Sequence, residues 1–361
     1  MQQMRTSGYS TRSRRGFVRA GLVATALLAG PCARDALAST RRISDDAERR
    51  IDLSRIPRRV FPAGAPAAVF VYCLAPDQLV GWPRALRADE AALLLPEVAD
   101  LPELGRLTGR GSTAKLEGVL ALGTDLVVDV GSIAPTYASL ADQVQAQTGV
   151  PYLLFDGRFE HTTRTLQRLG AALGAERRAE VLATGVQSIL DEMAELRAGL
   201  AAGDRPRVLF ARGPTGLATA AAGGLNAEVF DVVGAVNVAQ TGAPNLSLIS
   251  LEQVVDWQPD WIVASDAAFF SQLTRHPVWS SLPAVRAGRA VLAPRLPFGW
   301  FDAPPALNRF VGVVWLAAVL HPARIRYPLA ERLVATFEWL YHRRPTQAQI
   351  DSLLAQTRLP R

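Results

Sequence analysis

The chain says one thing twice. Lys115–Val128 reads KLEGVLALGTDLVV and Ser250–Val263 reads SLEQVVDWQPDWIV. The stretches align without a gap: Leu-Glu opens each, apolar residues fall at matching places, and Asp precedes a closing apolar run. An amphipathic turn followed by a short continuous apolar run reads as a helix leading into a parallel strand, buried on both faces. A chain carrying this unit once in each half is constrained towards two similarly built α/β lobes. Its 361 residues suit two domains of ordinary size better than one core.

The rest of the pattern agrees. Residues 58–160 read as a first lobe with strands at Arg59–Ala63, Leu79–Trp82, Asp125–Val130 and Tyr152–Phe155, and helices at Ala67–Ala75, Leu116–Leu122 and Leu140–Thr148. Helical spacing then runs almost unbroken from Thr162 to Leu200, so residues 161–203 are expected as one backbone helix between the lobes. Residues 204–361 repeat the plan, with strands at Arg207–Phe210, Asp260–Ala264 and Ala290–Leu292 and helices at Ala227–Val233 and Leu251–Trp257. Two C-terminal helices follow. The first, ALNRFVGVVWLAAVL, is led by Pro304-Pro305, which suits a helix start; it is shorter than a bilayer span and reads as core. The second covers Leu329–Tyr341. Residues 39–57 are polar and are expected as a loosely ordered arm.

The formal charge of +6 is concentrated at the start. Six arginines against Asp35 place +5 in the first 38 residues, leaving +1 for the remainder. No basic face is left for a phosphate backbone, which excludes a nucleic-acid partner. Those 38 residues have their own logic: a positive segment around Arg14 and Arg15, the apolar AGLVATALLAG, and Ala36-Leu37-Ala38 make an export signal of twin-arginine type, cleaved after Ala38. Pro31 before Cys32 argues against a lipidated cysteine. Cys73 is then the single cysteine of the product, so no internal disulfide can form, and its apolar surroundings read as core. Without CxxC or Cys/His groupings there are no ligands for iron–sulfur, structural zinc or attached haem, and no cofactor is expected.

The order RVFPAG, LVGW, KLEGVLALGTDLVV, long helix, RVLFARGPTGLATAAAGG, SLEQVVDWQPDWIV and FGWFDAPPALNRFVGVVWL resembles the class III periplasmic substrate-binding proteins, the vitamin B12, ferric siderophore, haem and molybdate receptors of ABC importers. The resemblance runs from about Arg58 to Leu320. It implies two parallel-sheet α/β lobes on one backbone helix, a ligand cleft between them, a periplasmic monomer, and a permease dimer in the inner membrane as partner. It also implies that Glu117 and Glu252, at the same place in each repeat, dock into arginine pockets on that permease. The local alternative is that each glutamate favours a helix start, with Ser250 as cap.

Ligands of parallel sheets sit beyond the carboxyl ends of the strands. The resemblance places its ligand loops there too, which nominates Trp82, Arg110, Tyr137, Arg212, Phe298, Trp300 and Asp302. Aromatic faces suit a macrocycle or catecholate, and arginines suit anionic groups. The alternatives are that Trp82 covers the sheet edge, that Phe298 and Trp300 pack the interlobe face, and that Arg110 and Arg212 form salt bridges within their own loops. A ferric siderophore-like chelate is the first expectation, with a corrinoid, haem or molybdate-like oxyanion behind it. GPTGLATAAAGG lacks the GxxxxGK[ST] pattern of a phosphate loop. No G-x-S-x-G or H-E-x-x-H occurs, and the four histidines, His161, His276, His321 and His342, form no evident metal set. A binding protein is therefore expected, with an exported enzyme or a stand-alone sensor or scavenger as the alternatives.

Overall fold

Each half of the chain builds a parallel sheet with the same order of strands. The structure, a computed structural model, describes residues 41–109, 111–242 and 246–358. The export segment with Arg14 and Arg15, and Arg110, lie outside them. The polar stretch after the export segment forms a hairpin, β1 (Arg41–Ser44) against β2 (Arg50–Leu53). This replaces the expected loose arm. Ile51 and Leu53 are buried while Arg50 and Asp52 face out, and Asp45 accepts from Arg49 at 2.6 Å to close the turn.

The first lobe follows as β3 (Val60–Pro62), α1 (Ala65–Leu74), α2 (Leu116–Ala121), β4 (Leu126–Gly131), α3 (Pro135–Thr148) and β5 (Tyr152–Asp156). β4 lies between β3 and β5, all parallel, and Leu79 bridges Val60 on the outer side of β3. LVGW thus contributes a single bridge at this edge where a strand was expected.

The expected connector is two helices, α4 (Thr162–Leu173) and α5 (Glu176–Ala198). Gly174 ends α4 in the left-handed conformation at φ +68°, a turn that glycine adopts without cost. The chain then folds back: Gly170 meets Ala179 so closely that a Cβ on Gly170 would lie 2.2 Å from that of Ala179. α5, at 23 residues, is the long helix that leads into the second lobe.

That lobe comprises β6 (Arg207–Ala211), β7 (Ala218–Ala220), α6 (Glu228–Val232), β8 (Val236–Asn237), β9 (Leu246–Leu248), α7 (Leu251–Trp257), β10 (Trp261–Ala264) and β11 (Ala290–Leu292). Its parallel sheet runs β8-β6-β10-β11, matching Leu79-β3-β4-β5 place for place, while β7 and β9 pair separately. The duplicated Asp explains the shared register. Asp125 accepts the backbone N–H of Arg59 at 2.9 Å, and Asp260 accepts that of Arg207 at 2.9 Å. Each of these arginines returns a bond, to Leu122 O and Trp257 O respectively. One aspartate per lobe therefore ties the end of the repeated helix to the start of the neighbouring strand.

Three helices complete the chain: α8 (Arg309–Leu320), α9 (Leu329–Tyr341) and α10 (Gln347–Ala355). α8 is buried over most of its length, and its first residue is Arg309, so Pro304 and Pro305 belong to the preceding turn. Cys73 is wholly buried in α1, where loss of water pushes its thiol up to about 12.

Candidate functional site

Beyond the carboxyl ends of β3, β4 and β5, the loops Gly224–Asn226 and Asp302–Pro305 of the second lobe close over a cavity of about 620 Å3. Gly64 and Ala134, in its lining, are the N-caps of α1 and α3. Neither helix carries an acidic residue in its first turn, and each has a proline there, Pro66 or Pro135. Two positive helix ends therefore adjoin the cavity, each with one N–H donor fewer than usual. Arg106 and Arg158 add guanidinium groups, and Thr108, Ser132 and Tyr137 add hydroxyls.

Three carboxylates share this lining, and each is answered from within the protein. Asp129, near the end of β4, accepts from the Thr108 hydroxyl at 3.1 Å and the Tyr152 hydroxyl at 3.2 Å. Burial nevertheless pushes its carboxyl up to about 6, since two neutral hydroxyls do not replace bulk water around an anion. Asp302 lies 2.7 Å from the Arg212 guanidinium, and burial outweighs that attraction to hold it also at about 6. Asp156 accepts the backbone N–H of Arg158 at 3.0 Å, with His161 3.6 Å away.

Behind the cavity, Arg309 joins the lobes. Its side chain is almost fully buried, ion-pairs with Glu228 at 2.9 Å, donates to Leu225 O and Gly157 O, and stacks 4.1 Å from the Phe159 ring. Leaving water lowers the arginine and raises the glutamate, each partly held by the other.

The nominated residues divide sharply. Tyr137 and Asp302 are in the cavity lining. Arg212 is not; its charge is committed to Asp302 and its guanidinium lies over Phe210. Trp82, Phe298 and Trp300 are buried and lie outside the lining, so their assignment to the ligand is corrected to one in the core. They belong to a continuous run of rings, Tyr72, Trp82, Phe298, Tyr341, Phe337, Trp300 and Trp315, with centroids 5.3–6.2 Å apart. The physical reason is α9, which packs on α1: Tyr72 donates to Tyr341 O at 2.6 Å, and the Trp82 and Trp300 indoles donate to Val98 O and Leu296 O. Among the described residues no group of three or more His, Cys, Asp or Glu side chains could hold a metal ion. His276 instead caps a helix, and His321 and His342 bond backbone carbonyls.

Sequence reasoning missed Asp129, Arg106, Arg158 and the joining role of Arg309. Asp129 did leave a signal. A carboxylate inside the apolar run DLVVDV is costly to bury unless it is bonded there.

Glu117 and Glu252 are not in the cavity lining but share one setting. Each is the second residue of its helix and exposed, and neither is in an ion pair among the described residues. Ser250 caps α7 and its hydroxyl holds Glu252 below the usual carboxylate range.

Paired parallel sheets, a cleft at their carboxyl ends and one bridging helix define a two-lobed solute-binding protein. The chain belongs to the periplasmic binding protein family, whose profile matches residues 75–295. It is 27% identical over 130 residues to the molybdate-binding protein MolA of Haemophilus influenzae, a stretch covering 35% of this chain and 36% of that relative. Among solved structures, an ABC transporter solute-binding protein from Sulfurospirillum deleyianum matches with a TM-score of 0.79 at 23% identity, covering 87% of this chain and 99% of that one. MolA bound to molybdate matches at 0.70 and 20%, covering 85% and 99%. The haem-binding protein RhuT from Roseiflexus matches at 0.56 and 21%, covering 74% and 99%. At these identities the structural matches speak for the fold.

Proposed function

We propose that this chain is the exported, periplasmic solute receptor of an ABC importer, and that its cleft takes a compact oxyanion of the molybdate class. The observation that carries the ligand is the make-up of the cleft. It offers two helix N-termini and the guanidinium groups of Arg106 and Arg158, the latter only loosely held by Glu228 at 3.6 Å. Asp302 is answered by Arg212 and Asp156 by a backbone N–H, whereas the aromatic faces that suggested a ferric chelate are spent in the core. Helix ends and arginines reward negative charge, and a small tetrahedral anion presents acceptors in every direction. The MolA match supports the same class. No bond is made or broken: the ligand binds, the lobes close slightly, and the loaded receptor docks through Glu117 and Glu252.

Isothermal titration of the mature protein with molybdate, tungstate, sulfate and a ferric tris-catecholate tests the ligand. Binding of molybdate or tungstate, weakened at least tenfold by Arg158→Ala, is expected; tight binding of the ferric complex alone overturns the ligand class. The double change Glu117→Ala and Glu252→Ala should abolish uptake and leave solute affinity intact. Uptake that survives it would mean that the chain scavenges or senses without docking through these residues.

A further inference from the structure

Five large hydrophobic side chains among the described residues are exposed: Ile56, Leu120, Val181, Leu248 and Val255. Singly, such residues are ordinary on a protein surface. Leu120 and Val255 are not independent of each other, however. Leu120 follows Glu117 by three residues and Val255 follows Glu252 by three, a spacing that sets side chains beside each other on one helical face.

The two helices are exposed in the same way at every position. From Leu116 to Asp125 and from Leu251 to Asp260, the sequence of buried, half-buried and exposed residues is identical over ten places, although six of the ten residues differ. Val119 and Val254 are the fully buried anchors. Among the exposed places, Gly118 becomes Gln253, Ala121 becomes Asp256 and Gly123 becomes Gln258. These slots drift to polar residues, as solvent-facing slots do. The slot after each anchor stays large and apolar, at 50% exposure for Leu120 and 38% for Val255. Packing within the lobe does not require this, since the buried valine already holds the helix down.

We infer that Leu120 and Val255 are the apolar half of the docking surface, each seated beside its glutamate in one of two equivalent sockets on a two-fold symmetric permease. This rests on the proposed docking of Glu117 and Glu252. The socket would pair a cationic group for the carboxylate with an apolar wall for the neighbouring side chain. Charge guides the approach, and burial of the leucine and valine slows release. A second copy of this chain fits the surface poorly, because it would set acidic peg against acidic peg.

The test uses the mature protein and the importer's permease–ATPase complex in lipid nanodiscs, with association and dissociation followed by interferometry. Leu120→Ser with Val255→Ser should speed dissociation about ten- to thirtyfold, the loss expected when two half-exposed aliphatic side chains no longer find an apolar wall. Its association rate and salt dependence should stay near those of the parent. Glu117→Ala with Glu252→Ala should instead slow association and flatten the salt dependence. Ile56→Ser with Val181→Ser, at the unrelated exposed sites, should change neither. An unchanged dissociation rate in the leucine–valine variant, with the glutamate variant defective, overturns this inference and spares the docking glutamates. Undiminished binding by the glutamate variant overturns the docking reading and this inference together. A parent protein that dimerises in solution, and a leucine–valine variant that does not, would assign the face to self-association and also overturn it.

Discussion

Asp129 lines the cleft with a carboxyl shifted well away from its ordinary range. An unfolded aspartate ionises near 4, whereas the folded one holds its proton to about 6 because it is buried against neutral hydroxyls. Between these values the folded state binds more protons than the unfolded, so stability should fall as pH rises from about 4 to about 6. The loss attributable to this group is about 2–3 kcal/mol. Asp129→Asn should reduce that slope and leave the share due to Asp302, measured by urea denaturation at half-unit pH steps; an unaltered slope would show that Asp129 ionises freely. Arg309 makes the opposite bet, as a charge that stays buried because Glu228 answers it. Arg309→Met would leave Glu228 with the Phe159 N–H and the more distant Arg158, 3.6 Å away, and should cost about 3 kcal/mol by the same denaturation.

At the scale of elements, β3, β4, β5, β6, β10 and β11 were legible to within a residue or two, because strands buried on both faces are short apolar runs between turn residues. β8, only Val236–Asn237, was missed, and LVGW was read as a strand where it makes one bridge. β1 and β2 were not, since RRIS and RIDL carry charge on the outer face of a hairpin and resemble solvated chain. The helix break at Gly174 hid because one glycine inside helical spacing is often tolerated. It is required here because α4 must turn back on α5. Trp82 and Phe298 could not be assigned from sequence, because an aromatic face serves a ligand or a core equally well and only the fold brings residues 82 and 298 to 5.9 Å. Gly185 makes a similar point for α5 and α9. A Cβ there would lie 2.3 Å from the Trp339 ring. Gly185→Ala gains about 1 kcal/mol of helix propensity and should lose about 1–3 kcal/mol to overpacking. The expected result is a lower melting temperature by calorimetry; a higher one would mean that α9 moves aside freely.

The whole molecule is a duplicated lobe tied together at the back. The run of rings from Tyr72 to Trp315, the Arg309 contacts and α5 all cross from one half to the other. Lobes held in this way should not swing apart as they do on flexible strands. Small-angle scattering of ligand-free and ligand-saturated protein should overlay, and a clear contraction on binding would contradict the tie. The most direct test of the account is elemental analysis of the protein purified from its native periplasm, alongside its visible spectrum. The account predicts about one molybdenum or tungsten per colourless chain, lost in the Arg158→Ala variant. Stoichiometric iron or cobalt with a visible chromophore would contradict it, and would return the cleft to a chelate bound without the aromatic faces of Trp82, Phe298 and Trp300.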